Sequence, residues 1–87
     1  MYKCELLFVS LGAKIKHYRL INGVSGRDLG RMIGVSQQQI SRYENGVSPL
    51  SFYVLSEILK SLNLEESDMN IFFDDIKEYF LTSLNNK

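Results

Sequence analysis

Apolar residues recur at helical spacing along most of this chain, and the breaks between the periodic stretches divide it into short helices. From about Leu11 the pattern is clear: Leu11, Ile15 and Tyr18 fall on one face, with Lys14, Lys16 and Arg19 turned elsewhere. This helix is expected to stop near Asn22-Gly23, a pair suited to the left-handed C-terminal cap. Before it, Leu6, Leu7, Phe8 and Val9 fit either an extended arm or an early turn of the same helix. Ser25 opens the second helix, with Asp28 three positions on as a capping box. Leu29 and Ile33 are its inward pair, and Arg27 and Arg31 face out. Gly34 then stands where a sharp reversal requires positive φ.

Ser36 caps the third helix, with Gln39 completing a second box. Successive helical residues advance about 100° around the axis, so Ser36, Ile40, Tyr43 and Glu44 share the inward side. Gln38, Arg42 and Asn45 lie nearly opposite, flanked by Gln37, Ser41 and Gln39. Gly46 ends this helix. Ser48-Pro49 reads as an N-cap followed by a first-turn proline, opening a fourth helix that runs to about Leu62. Its inward stripe is Leu55, Ile58, Leu59 and Leu62. After an acidic link at residues 65–68, a fifth helix carries Met69, Phe73, Ile76, Phe80 and Leu84 at spacings of four, three, four and four. Phe72, Tyr79 and Leu81 widen that stripe beyond what one small domain needs to cover.

Length and composition narrow the class. With 87 residues, 45% of them hydrophobic and a single proline, the chain is one ordered domain with a small core. The lone Cys4 forms no internal disulfide, and neither it nor His17 belongs to a Cys/His cluster of ligand spacing, so no metal or cofactor is expected and a reducing cytoplasm is favoured. The run at residues 6–13 is interrupted by Ser10 and Gly12 and is not read as a signal sequence. No stretch has the roughly 18 apolar residues of a membrane span, and nothing resembles a nucleophile, base and oxyanion arrangement, so no enzyme is expected. The formal net charge of zero argues against a nucleic-acid partner until its distribution is considered. Residues 1–46 carry seven Lys/Arg against three acids, and residues 47–87 carry three against seven. The chain is bipolar, and its basic half holds the glycine-turn motif.

Those residues resemble the Cro/cI-type helix-turn-helix family, also called XRE. The likeness covers about residues 11–64 and rests on Leu11-Gly12, Ile15, Arg19, Leu29-Gly30, Gly34-Val35-Ser36, Ile40-Ser41, Glu44 and Gly46. It implies an all-α, five-helix, lambda-repressor-like DNA-binding domain with the helix-turn-helix at helices 2 and 3. Residues 1–10 would then be an arm or early helix, and 65–87 a C-terminal dimerisation segment. Gln37, Gln38 and Arg42 stand where lambdoid phage repressors read base edges. Their chemistry agrees, because a glutamine amide pairs with adenine N6/N7 and an arginine with guanine O6/N7. Lys14, Lys16, Arg19, Ser25, Arg27, Arg31, Ser36, Gln39, Ser41 and Asn45 are secondary or phosphate candidates. The resemblance also implies a structural ion pair between Arg19 and Glu44.

Two departures bear on affinity. Gly26 stands where the family commonly has a glutamine reaching phosphate, and residues 47–51 lack the basic residues often found there. Met69, Phe72, Phe73, Ile76, Tyr79, Phe80 and Leu84 are the dimerisation candidates, since operators of this class are read by two-fold dimers. The expected function is a dimeric, cytoplasmic, nucleoid-associated regulator of transcription binding double-stranded DNA. The string SQQQISRYE is similar to fimbrial-operon regulators of enteric bacteria. An antitoxin of a toxin–antitoxin pair, with its C-terminal or N-terminal apolar surface covering the protein partner, and an interaction module that keeps the fold without reading DNA, are the alternatives.

Overall fold

The computed structural model describes residues 4–85, with side chains for residues 5–84. These residues form five α-helices: α1 (Cys4–Ile21), α2 (Gly26–Ile33), α3 (Gln37–Glu44), α4 (Phe52–Ser61) and α5 (Glu66–Asn85). Residues 4–10 are thus the first turns of α1, while residues 1–3 of the expected arm and the Cys4 side chain lie outside what is described.

Local chemistry accounts for the helix ends. Ser25 Oγ accepts from the Asp28 amide and Ser36 Oγ from the Gln39 amide, each at 3.0 Å, satisfying a first-turn donor in α2 and α3. Between them Gly34 adopts φ 79°, a left-handed conformation that a side chain would strain. At the start of α5, the Asp68 carboxylate reaches back 3.3 Å to the Glu65 amide.

Two boundaries differ from the sequence reading: α5 begins at Glu66, within the acidic stretch read as a link, and α4 begins later than expected. α4 is capped by Ser51, whose Oγ accepts from the Val54 amide at 3.0 Å, rather than by Ser48. Ser48 is buried and its hydroxyl accepts from Arg42 instead. The helix therefore starts three residues later than Ser48-Pro49 indicated. Ser51→Ala is expected to cost about 1 kcal/mol, seen as a fall of about 4–8 °C in thermal midpoint. Ser48 leaves no first-turn amide of α4 unpaired when replaced, so an equal loss of helical content in the two alanine variants would contradict this boundary.

Leu7, Leu11, Ile15 and Tyr18 of α1, Leu29 of α2, Ile40 and Tyr43 of α3, Leu55, Ile58, Leu59 and Leu62 of α4 and Phe72 of α5 form one buried cluster. In α5 the stripe is rotated from its expected position. Phe72 is fully buried, whereas Phe73, Phe80 and Leu84 face solvent and Met69, Ile76 and Tyr79 are half-buried against the core. The reason lies in what α1 presents to α5. Tyr18 packs on the Phe72 ring at 5.6 Å between centroids, and the Lys14 ammonium meets Asp75 at 2.7 Å. Ser10 joins this contact by donating to the same carboxylate oxygen. Burial, and then Asp68, raise the Tyr18 phenol above its usual pKa. The inward face of α5 thus runs Asp68, Phe72, Asp75, Tyr79, with acids among its aromatics.

Candidate nucleic-acid interface

α3 is held by one side and open on the other. Ile40, Tyr43 and Glu44 are buried, and Gln37, Gln38, Ser41, Arg42 and Asn45 are exposed. Two residues depart from the helical-wheel expectation: Ser36 is exposed because a cap sits outside the helix barrel, and Gln39 is half-buried. α1 and α2 both pack against α3, so the helix is fixed to the core along its length.

Glu44 is the polar member of the buried side. Its side chain is 6% exposed and receives Arg19 in a forked contact, Nε to Oε2 at 2.6 Å and Nη2 to Oε1 at 3.0 Å. The third guanidinium nitrogen, Nη1, donates to the Val24 carbonyl at 3.0 Å. The same hydrogen bonding to Glu44 raises the Arg19 pKa further, against the opposing effect of burial, so the arginine stays charged. A planar guanidinium bound on two edges is a rigid bracket between the end of α1, the α1–α2 turn and the end of α3.

Beside this bracket lies an open groove of about 550 Å³ lined by Lys16, Arg19, Ser25, Gly26, Gln37 and Ser41 among others. It gathers candidates from three helices: a lysine, an arginine, a capping hydroxyl and two residues of the exposed α3 face. A Cβ on Gly26 would sit 3.7 Å from Gln37 Cγ, ordinary contact, so nothing in the packing requires glycine there. The groove lacks a side chain at that point, and the amides at the start of α2 are what remains to meet an anion.

The other cations are distributed unevenly. Arg27 and Arg31 are exposed on α2, with Arg31 4.0 Å from Asp28. Lys14 is not brought to this surface; its ammonium is held between Asp75 and Ser10 at the α1–α5 contact. Its charge is spent on α5, which removes it from the phosphate candidates. Arg42 projects from α3 with Nε donating to Ser48 Oγ at 2.9 Å, and Asn45 Nδ2 donates to Ser41 Oγ at 3.4 Å. The pairing of Ser48 with Arg42 was missed in the sequence because Ser48 before Pro49 has the form of a cap.

Away from this face, Phe73, Phe80 and Leu84 of α5 are exposed, and Phe52 at the start of α4 is 76% exposed. Phe52, Phe73, Ile76, Tyr79 and Phe80 line a second groove of about 370 Å³ together with Leu7, Phe8 and Leu11. Phe72, named among the dimerisation candidates, is excluded from that surface because it is fully buried within the domain. Among the described residues no cluster of His, Cys, Asp and Glu has metal-binding geometry. No described helix is long and apolar enough to cross a membrane.

Two capped short helices joined at a left-handed glycine, with the second offering a polar face, define a helix-turn-helix DNA-binding fold. The chain belongs to the helix-turn-helix family of XRE type, whose family model matches residues 15–69. It is 37% identical over 65 residues to an HTH-type transcriptional regulator of Sinorhizobium fredii, covering 75% of this chain and 43% of that protein. An HTH-type transcriptional regulator of Methanocaldococcus jannaschii is 32% identical over 71% of this chain and 94% of its own length. Antitoxin PezA of Streptococcus pneumoniae is 28% identical over 83% of this chain and 48% of its own. The chain thus spans about half the length of two of these relatives, 43% and 48%. Among solved structures, the clp gene regulator ClgR of Corynebacterium glutamicum superposes with a TM-score of 0.71 at 23% identity, over 91% of this chain and 82% of that one. That likeness bears on the fold alone.

Proposed function

We propose that this chain is a sequence-specific regulator of transcription that binds double-stranded DNA as a homodimer and reads the major groove with α3. The observation that carries this reading is the exposed face of α3, where Gln37, Gln38 and Arg42 stand together on a helix whose opposite side is fastened by Ile40, Tyr43 and Glu44. Long amides and a guanidinium on a rigid support are suited to base edges. Lys16, Arg27 and Arg31 supply charge for phosphates, and Arg19, Ser25, Ser36, Gln39, Ser41 and Asn45 flank them. Ser25 and Ser36 use their oxygens as cap acceptors, which leaves each hydroxyl proton to donate to a phosphate. Such a protein works without a cofactor, in the cytoplasm at the nucleoid.

The dimer surface is assigned to the outer side of α5, with Phe73, Phe80 and Leu84 at its centre and Met69, Ile76 and Tyr79 at its edge. The narrower reading, control of fimbrial genes, rests on the likeness of residues 36–44 alone. A second function is favoured by the similarity to Antitoxin PezA combined with the same apolar surface: an antitoxin whose α5 face covers a protein partner. Co-purification of a small neighbouring gene product would separate the two.

Selection of bound sequences from a random DNA pool, run in parallel for the wild type and Gln38→Ala at one stated salt concentration, tests the main reading. The wild type is expected to enrich a two-fold site with half-sites about 10 base pairs apart. Gln38→Ala should lose about 1–3 kcal/mol of discrimination at one position in each half-site and keep its non-specific binding. Enrichment of nothing above background would sink DNA reading, and enrichment of a single half-site would sink the dimer.

A further inference from the structure

Ser48 is a buried hydroxyl outside every helix, and the cap that its position suggested is supplied by Ser51. Its oxygen has one side-chain partner, Arg42 Nε at 2.9 Å. We propose that Ser48 is a positioning residue for base recognition, holding the Arg42 guanidinium so that its two terminal nitrogens meet a guanine edge. This rests on the reading of Arg42 as a base-contacting residue.

The geometry of a guanidinium explains why one hydrogen bond has this effect. Arginine has five N–H donors in a plane, and it can approach a base through its Nε side or through its Nη1/Nη2 end. With Nε donating to Ser48, the side approach is taken, and the end remains with two parallel donors spaced for guanine O6 and N7. An exposed arginine otherwise samples many rotamers, and ordering it on DNA costs affinity that prior ordering avoids.

Ser48 can serve as a fixed point because its backbone is tied to α3 and to α1. The Val47 and Ser48 amides both donate to the Arg42 carbonyl, at 3.0 and 3.3 Å, and the Gly46 amide donates to Tyr43 at 3.1 Å. Gly46 reverses the chain with φ 74°, and a Cβ there would stand 2.7 Å from Val9 Cα. The turn is therefore seated directly on the α1 backbone, which only glycine permits. The position of the hydroxyl is set by the packed domain, and through it the direction of Arg42.

The test compares base preferences of wild type, Arg42→Ala, Ser48→Ala, Ser48→Thr and the Arg42→Ala/Ser48→Ala double variant on the selected site, with every single-base replacement. Arg42→Ala is expected to erase a guanine preference at one position per half-site. Ser48→Ala should weaken that same preference about three- to tenfold, leave the other positions unchanged and shift the thermal midpoint by no more than about 8 °C. Ser48→Thr should restore it, and the double variant should match Arg42→Ala. Unchanged preferences in Ser48→Ala, or an equal loss at all positions, would remove the role of Ser48 while leaving that of Arg42. No change in Arg42→Ala would overturn the base-reading assignment itself, and this proposal with it. Should Ser48→Ala fail to fold, the DNA-free wild type supplies a second test by nitrogen-15 NMR. The Arg42 Nε–H should exchange with water more slowly than that of Arg27, and equal exchange rates would overturn the contact.

Discussion

Replacing Glu44 by alanine is expected to lower the thermal midpoint by about 15 °C or more, because it strands a guanidinium that folding has taken out of water. Arg19 is 11% exposed at its side chain and keeps only the Val24 carbonyl once the carboxylate is gone. Breaking one half of a buried pair costs about 3–5 kcal/mol, against a total of about 4–13 kcal/mol for a chain of this size. An exposed ion pair would be worth about 0–1 kcal/mol, so the size of the loss distinguishes the two situations. The companion experiment removes both charges. Arg19→Met with Glu44→Leu is expected to recover most of the lost stability, since two apolar side chains of similar volume need no partners. DNA affinity should stay low in the double variant, because Arg19 also lines the groove beside α3. A midpoint within about 4 °C of wild type for Glu44→Ala would sink the structural role of the pair, and full DNA affinity in the double variant would sink the phosphate role.

Gly12→Ala is expected to be nearly as damaging, although alanine is the better helix former. The substitution gains about 0.5–1 kcal/mol of helix propensity within α1. Against that gain, the added Cβ would meet the Tyr43 carbonyl oxygen and would lie 2.6 Å from the Glu44 carbonyl oxygen. These atoms are backbone, so no rotamer change relieves the contact and α1 must move away from α3. Overpacking of this kind costs about 1–3 kcal/mol and sometimes more. The net result should be a midpoint fall of about 5–15 °C, accompanied by weaker binding to specific and non-specific DNA alike because the whole of α3 is displaced. A midpoint at or above that of wild type would show that the α1–α3 spacing is not set by this glycine.

The α2–α3 unit was legible because its signals are local. Ser25 and Ser36 each accept from an amide three residues on, and Gly34 takes the positive φ that a reversal of this kind needs. Each cap is also followed four residues later by a buried aliphatic, Leu29 after Ser25 and Ile40 after Ser36. The same spacing places Leu55 after Ser51, whereas four residues after Ser48 comes the exposed Phe52. That comparison would have put the start of α4 correctly; the proline after Ser48 was the stronger cue taken alone. The inward turn of Glu44 followed from helical arithmetic, and its pairing with Arg19 from family resemblance, with the geometry of the fork visible only in three dimensions.

The face of α5 was not legible, and the reason is chemical. Two stripes lie side by side on this helix, one through Phe73 and Phe80 and one through Phe72 and Tyr79, and the first is the more apolar. Burial went to the second because α1 supplies partners for it, Lys14 for Asp75 and the Tyr18 ring for Phe72. Lys14 likewise reads as one more cation of a basic half until Asp75, 61 residues away in the chain, is found beside it. Hydrophobic periodicity ranks faces by their own composition, while docking ranks them by what the opposing surface offers.

The sequence by itself determined α2 and α3, their caps and the glycine reversal, and the outward place of Gln37, Gln38 and Arg42, since each depends on residues within a few positions of one another. The bipolar distribution of charge is read from composition directly. Tertiary structure alone decided which cations stay available and which side of α5 is buried. Those outcomes depend on contacts between segments far apart in the chain, where a polar side chain is committed by whichever partner folding brings within hydrogen-bond reach.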